Sequence, residues 1–158
     1  MAPTIARADQ VDRAALHEFL ATRHHGVLLT TRKDGGPQLS PVTCGLDAEG
    51  RVVISTYPER AKASNIRRTG RAAICVLSDE WNGAWVQVEG PAEVLDLPEA
   101  LDGLVEYFRC IAGEHPDWDE YRQAMTQQGK CLVRIAIERW SPVATGGFPA
   151  ARVPSPPN

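Results

Sequence analysis

The sequence predicts a mainly β protein: six antiparallel strands that close, or nearly close, a barrel, with helices flanking them. Three observations carry this expectation. The turns between the first strand-like runs, at 33–36 and 47–50, are far too short for the crossover that parallel strands need. Six such runs recur along the chain with two helical excursions between them, the pattern of a small antiparallel barrel. Neither a GxGxxG nor a GxxxxGK[ST] loop occurs, which disfavours the nucleotide-binding folds those loops mark.

The elements follow in order. Val11, Ala15, Leu16, Phe19 and Leu20 recur at helical spacing, and Asp9 can cap the start, so a helix is expected over 9–23. His24 and His25 then form a polar joint. GVLLTTR (26–32) reads as a strand, KDGG (33–36) as a hairpin turn and PQLSPVTCGL (37–46) as the partner strand. DAEG (47–50) makes the next turn and RVVISTY (51–57) the third strand. After a basic segment come RAAICVLS (71–78) and AWVQVEGPAEVLD (84–96). In the second of these Ala84, Val86 and Val88 alternate with Trp85, Gln87 and Glu89, and Gly90-Pro91 marks a bulge or bend.

Pro98 opens a helical stretch whose apolar face is Leu101, Leu104, Val105, Phe108 and Ile111. HPDW (115–118) interrupts it, a second short helix runs to about Gln128, and CLVRIAIE (131–138) is the last strand. Residues 1–150 therefore read as a single domain, and the proline-rich tail at 151–158 as disordered.

At 158 residues the chain can bury a substantial core, and 43 % hydrophobic against 23 % charged residues argues against wholesale disorder. A net charge of −3 offers no general affinity for nucleic acid or an anionic membrane, so any anion site must be local. No apolar leader or bilayer-length segment is visible. Cys44, Cys75, Cys110 and Cys131 form no CxxC pair and read as small buried thiols rather than metal ligands, and His17, His24, His25 and His115 mark no metal spacing. The expectation is a reduced, soluble, cytoplasmic protein.

One segment stands apart: STYPERAKASNIRR, Ser55 to Arg68. If a helix starts near Ala61, Lys62, Asn65 and Arg68 share one arc of its surface while Ala63 and Ile66 face the core. Arg60 stands at the N-terminal end, where unpaired amides favour a phosphate. Ser55 and Thr56 end the preceding strand and can offer hydroxyls. On the residues alone, an anion site and a solvated helix whose cations balance nearby carboxylates both stand.

The wider pattern tips the balance. GVLLTTRKDGGPQLSPV, GRVVISTYPERAKASNIRRTGRAAICV, VQVEGPAEV and CLVRIAIERWSPV together cover most of residues 26–143. They resemble the flavin- and deazaflavin-binding split β-barrels related to pyridoxamine 5′-phosphate oxidase, most of all the branch that uses coenzyme F420, an 8-hydroxy-5-deazaflavin. The most specific match is the order S-T-x-x-x-R-x-K-x-x-N followed by RRTGRAAICV.

The resemblance implies a homodimer with coenzyme F420, or alternatively FMN, in a groove at the subunit interface. It places Arg60 and Lys62 on the coenzyme phosphate, with Asn65 supporting them. Ser55 and Thr56 would lie near the ring and its side chain, and Pro41 and Val42 beside the ring. The resemblance implies an oxidoreductase moving a hydride between reduced deazaflavin and a small electrophilic molecule; a carrier or sensor of the coenzyme would need the same groove. Tyr57, Trp81 and Trp85 are candidates to line the substrate space, since aromatics give apolar walls with a polar tip. No side chain announces itself as a catalytic acid or base, and none is required where the ring carries the chemistry. The substrate-binding arginine and histidine pattern of the pyridoxamine phosphate oxidase itself is not found in ERWSPVATGGFPA.

Overall fold

The computed structural model describes residues 5–147. The expected disordered tail lies outside them. Helix α1 (Arg13–Ala21) follows a short strand β1 (Arg7–Asp9). The helix thus starts later than expected, and its cap is Asp12, whose carboxylate accepts the Ala15 amide at 2.9 Å. Asp9 instead ends β1, which pairs with a C-terminal strand, so backbone pairing takes residues that helical spacing had claimed.

Strands β2 (His25–Thr31), β3 (Pro37–Leu46) and β4 (Arg51–Thr56) form the meander, and helix α2 (Ala61–Thr69) leads into β5 (Arg71–Leu77) and β6 (Trp85–Leu95). Helices α3 (Leu101–Ala112) and α4 (Trp118–Gln128) precede β7 (Cys131–Ala136). Two short strands, β8 (Arg139–Trp140) and β9 (Val143–Thr145), were not legible in the sequence; β8 pairs with β6, while β9 pairs with both β1 and β6.

The barrel closes in the order β6-β5-β2-β3-β4-β7 and back to β6. Closure depends on β6 changing partner: Trp85–Pro91 pair with β5, and Ala92–Leu95 with β7. The change falls at Gly90-Pro91, the expected bend. At Gly90 a Cβ would stand 1.9 Å from the Ala136 carbonyl oxygen, so only glycine lets the two backbones meet there.

Alternation sorts the side chains. Leu28, Ile54, Ile74, Val76, Val86, Val88, Val133 and Ile135 fill the barrel, joined by Leu16 and Leu20 of α1 and Ile66 of α2. The α1 helix runs into the His25 end of β2, whereas α2 bonds to Thr30 near its other end, so the helices close opposite ends of the barrel. A second cluster on the outer side of β4 and β7, with Val53 and Leu132 against Leu104, Val105 and Tyr121, seats α3 and α4. All four cysteines are free thiols, Cys44 and Cys131 fully buried.

Candidate functional site

The barrel is split at one seam. Strand β3 pairs with β2 from Pro37 to Thr43, but with β4 only through Cys44–Leu46 against Ile54–Val52. Strand β4 continues past that point, still paired to β7 as far as Thr56 against Cys131. The β3 edge at Pro41–Thr43 and the β4 edge at Ser55–Thr56 therefore flank a gap in the ladder. Four of the sequence-predicted residues, Pro41, Val42, Ser55 and Thr56, line its two sides.

The two hydroxyl residues do not face alike. Ile54 points into the barrel and Val53 out toward α3, so alternation turns Ser55 outward and Thr56 inward. Thr56 is buried and Ser55 half-buried. Similarly, Val42 packs on the barrel core while Pro41 is exposed on the outer face.

Beyond Thr56, a turn in which the Arg60 amide donates to the Tyr57 carbonyl at 3.1 Å delivers the chain to α2. Arg60 occupies the cap position with extended backbone, and no side chain caps the helix start. The positive end of the helix dipole is thus open, with Arg60 and Lys62 beside it. Among the described residues neither cation belongs to an ion pair, although Arg32, Arg51, Arg67, Arg71, Arg109, Arg122 and Arg134 all do. Partial burial lowers the Lys62 pKa, and the Arg60 charge lowers it further. Two uncompensated cations at a bare helix N-terminus form a place that an anion would relieve.

Asn65 faces inward and is buried. Its amide donates to the Thr30 hydroxyl at 3.1 Å, which donates on to Gln38 at 2.9 Å, while Arg68 donates to its carbonyl oxygen at 3.2 Å. Asn65 thus seats α2 on β2. Arg68 also reaches the Thr31 carbonyl, and Arg67 binds Asp96 at 2.6 Å, so these two arginines are committed within the fold.

The aromatic candidates are not gathered in one place. Tyr57 lies under Lys130, 4.0 Å from the ring centre, next to the start of β7. Trp85 begins β6, at the end of that strand remote from β7's first residues, and Trp81 stands 87 % exposed in the loop before it. Within one chain, Tyr57 and the two tryptophans occupy opposite ends of β6. Trp81 and Trp85 line a shallow apolar pocket of about 320 Å³ with Cys75 and Leu77.

Sequence reasoning missed Tyr107. From α3 its hydroxyl donates to the Thr43 carbonyl at 3.0 Å, at the closed end of the split. Burial raises its pKa to about 12, with the Ser55 main chain a smaller opposing influence. The available signal was a tyrosine three residues after Leu104 on the packed face, since a buried phenol needs a partner.

A barrel whose ladder opens along one seam, with helices flanking it, is of the split-barrel class. The family model for pyridoxamine 5′-phosphate oxidase matches residues 13–144, and the chain belongs to that family. Among solved structures it is similar to a conserved hypothetical protein of Mycobacterium tuberculosis, at 27 % identity and a TM-score of 0.71, covering 89 % of this chain and 90 % of that one. It is also similar in fold to an F420 reductase, at 21 % identity and a TM-score of 0.58, covering 78 % and 94 %. A heme binding protein from Mycobacterium smegmatis shares the fold at 20 % identity and a TM-score of 0.62, covering 83 % of this chain and 53 % of that one. The family is flavin-related and holds oxidoreductases alongside non-enzymes.

Proposed function

We propose that the protein is a reductase that uses coenzyme F420 to reduce a small electrophilic organic molecule. The observation that carries this reading is the pair Arg60 and Lys62, unpaired at the uncapped start of α2 and adjoining the β3–β4 split. These residues fit a coenzyme with a phosphate and a flat ring: the cations and helix amides would take the phosphate, and the split would take the ring. When bound in reduced form, the deazaflavin supplies a hydride. The chain's own part would be to hold the phosphate, border the ring at Pro41 and Val42, and exclude water with the half-buried wall around Ser55 and Tyr107.

A second copy of the chain completes the groove in this reading. The outer face of β3, β2 and β5 carries Leu39, Val27, Leu29, Cys75 and Leu77 in adjacent cross-strand rows, with Leu39 60 % exposed and the others half-buried. A contiguous, partly exposed apolar patch of this kind supports an interface there. Pro41 belongs both to this face and to the edge of the split, so a partner seated there would border the coenzyme.

Competition binding of F420 and FMN across a salt series tests the proposal. Lys33, exposed on the turn between β2 and β3, is a further cation that an oligoglutamate tail could meet. F420 is expected to bind more tightly than FMN at low salt, with an advantage that shrinks as salt screens the tail. FMN binding as tightly at every ionic strength moves the assignment to an FMN-dependent enzyme. Tight F420 binding without turnover of any enone or quinone supports a carrier.

A further inference from the structure

The β3–β4 ladder stops at a definite rung although both strands continue. The Cys44 amide donates to the carbonyl of His24, the residue just before β2, so the main-chain groups of Thr43, its neighbour, turn toward β4. With Cys44 opposite Ile54, the next rung would join Thr43 to Ser55. That rung is absent, and the Tyr107 hydroxyl stands in its place. It donates to the Thr43 carbonyl at 3.0 Å, and the Ser55 main chain lies beside that hydroxyl. The hydroxyl takes up the Thr43 carbonyl that the Ser55 amide would otherwise meet, and a group inserted there holds the strands apart by roughly one more hydrogen-bond length, about 3 Å.

We propose that Tyr107 fixes where the split begins, and so acts as a positioning residue for the coenzyme groove. The positioning role rests on the reading of the split as the coenzyme site. Tyr107 comes from α3, anchored by Leu104 and Val105 in the outer cluster, so the opening is held by a packed helix and not by the strands themselves. A phenol that stays neutral until about pH 12 donates this bond at every physiological pH.

Tyr107→Phe keeps the ring and removes the wedge. Without coenzyme, the Ser55 amide is followed by hydrogen exchange in nuclear magnetic resonance spectra; with coenzyme, F420 affinity is titrated for wild type, Tyr107→Phe and Lys62→Ala. Exchange at Ser55 is expected to slow about tenfold as its N–H closes onto the Thr43 carbonyl, and affinity to fall about tenfold, the scale of one hydrogen bond. A merely structural loss would instead lower the melting temperature and speed exchange throughout β4. Ser55 exchange that is unchanged or faster overturns the proposal. So does wild-type affinity in Tyr107→Phe when Lys62→Ala is weakened. Equal affinities in all three proteins overturn the site assignment itself, and the positioning role with it, whatever the Ser55 amide does.

Discussion

At the scale of single residues, charge without a partner separates Lys62 from the other cations near the seam. Arg67 has Asp96 and Arg68 has Asn65 and a carbonyl, so neutralising either would disturb folding contacts as much as binding. Lys62 has neither, and its proton is held less firmly because of burial and Arg60. Lys62→Ala is therefore expected to leave the thermal midpoint nearly unchanged while weakening F420 binding by about 1.5–3 kcal/mol, the range of a charge-assisted hydrogen bond. Fluorescence titration at low salt checks it, and equal affinities would remove Lys62 from the phosphate site. Its number in the motif was legible because basic residues beside a helix start are visible in one dimension. Tyr107 was not legible, because its partner Thr43 is 64 residues away in the chain.

At the scale of elements, the decisive one is β6, which serves two partners and closes the barrel. Its turn from β5 to β7 requires backbone contact at Gly90, where an added methyl would overlap the Ala136 carbonyl at 1.9 Å. Because the obstacle is backbone on a paired strand, no rotamer change relieves it. Gly90→Ala is expected to cost about 3 kcal/mol or more, the upper end for overpacking. Urea denaturation measures this, and a loss below about 1 kcal/mol would mean the closure tolerates a shift. The Gly-Pro signal announced a bend, and the alternation of Val86 and Val88 gave the buried face. The short strands β8 and β9 are not legible in one dimension because their two or three residues carry no period and exist only through pairing with distant strands, β8 with β6 and β9 with β1 and β6.

At the scale of the whole molecule, burial makes stability fall in alkali. Burial raises Cys44 from 9.0 to about 12, Cys131 from 9.0 to about 11 and Tyr107 from 10.0 to about 12. In the unfolded chain these groups lose their protons first, so between about pH 9 and pH 12 the unfolded state binds fewer protons and stability falls as pH rises. Below about pH 7.5 the three contribute almost no slope. Denaturation midpoints in reducing buffer, compared between neutral pH and pH about 10.5, are expected to drop, and by less in Cys44→Ala. The outer apolar face makes the other prediction at this scale. Leu39→Asp places a charge where the face is most exposed, and light scattering is expected to show the proposed dimer converting to monomer with coenzyme affinity lost. A wild-type monomer that binds coenzyme tightly would defeat the shared groove.

The sequence by itself determined the mainly β class, the six long strands to within a residue or two, the bend at Gly90 and the cationic helix start. Each of these depends on neighbours in the chain: period two, turn composition, glycine beside proline, or basic residues at helical spacing. Only the tertiary structure decided that β3 and β4 part after Cys44, that Asn65 turns inward to hold α2, and that Tyr57 and Trp85 sit at opposite ends of β6. Strand register and partner exchange arise from contacts between residues far apart in the chain, and no local pattern encodes which rung of a ladder will be left unmade.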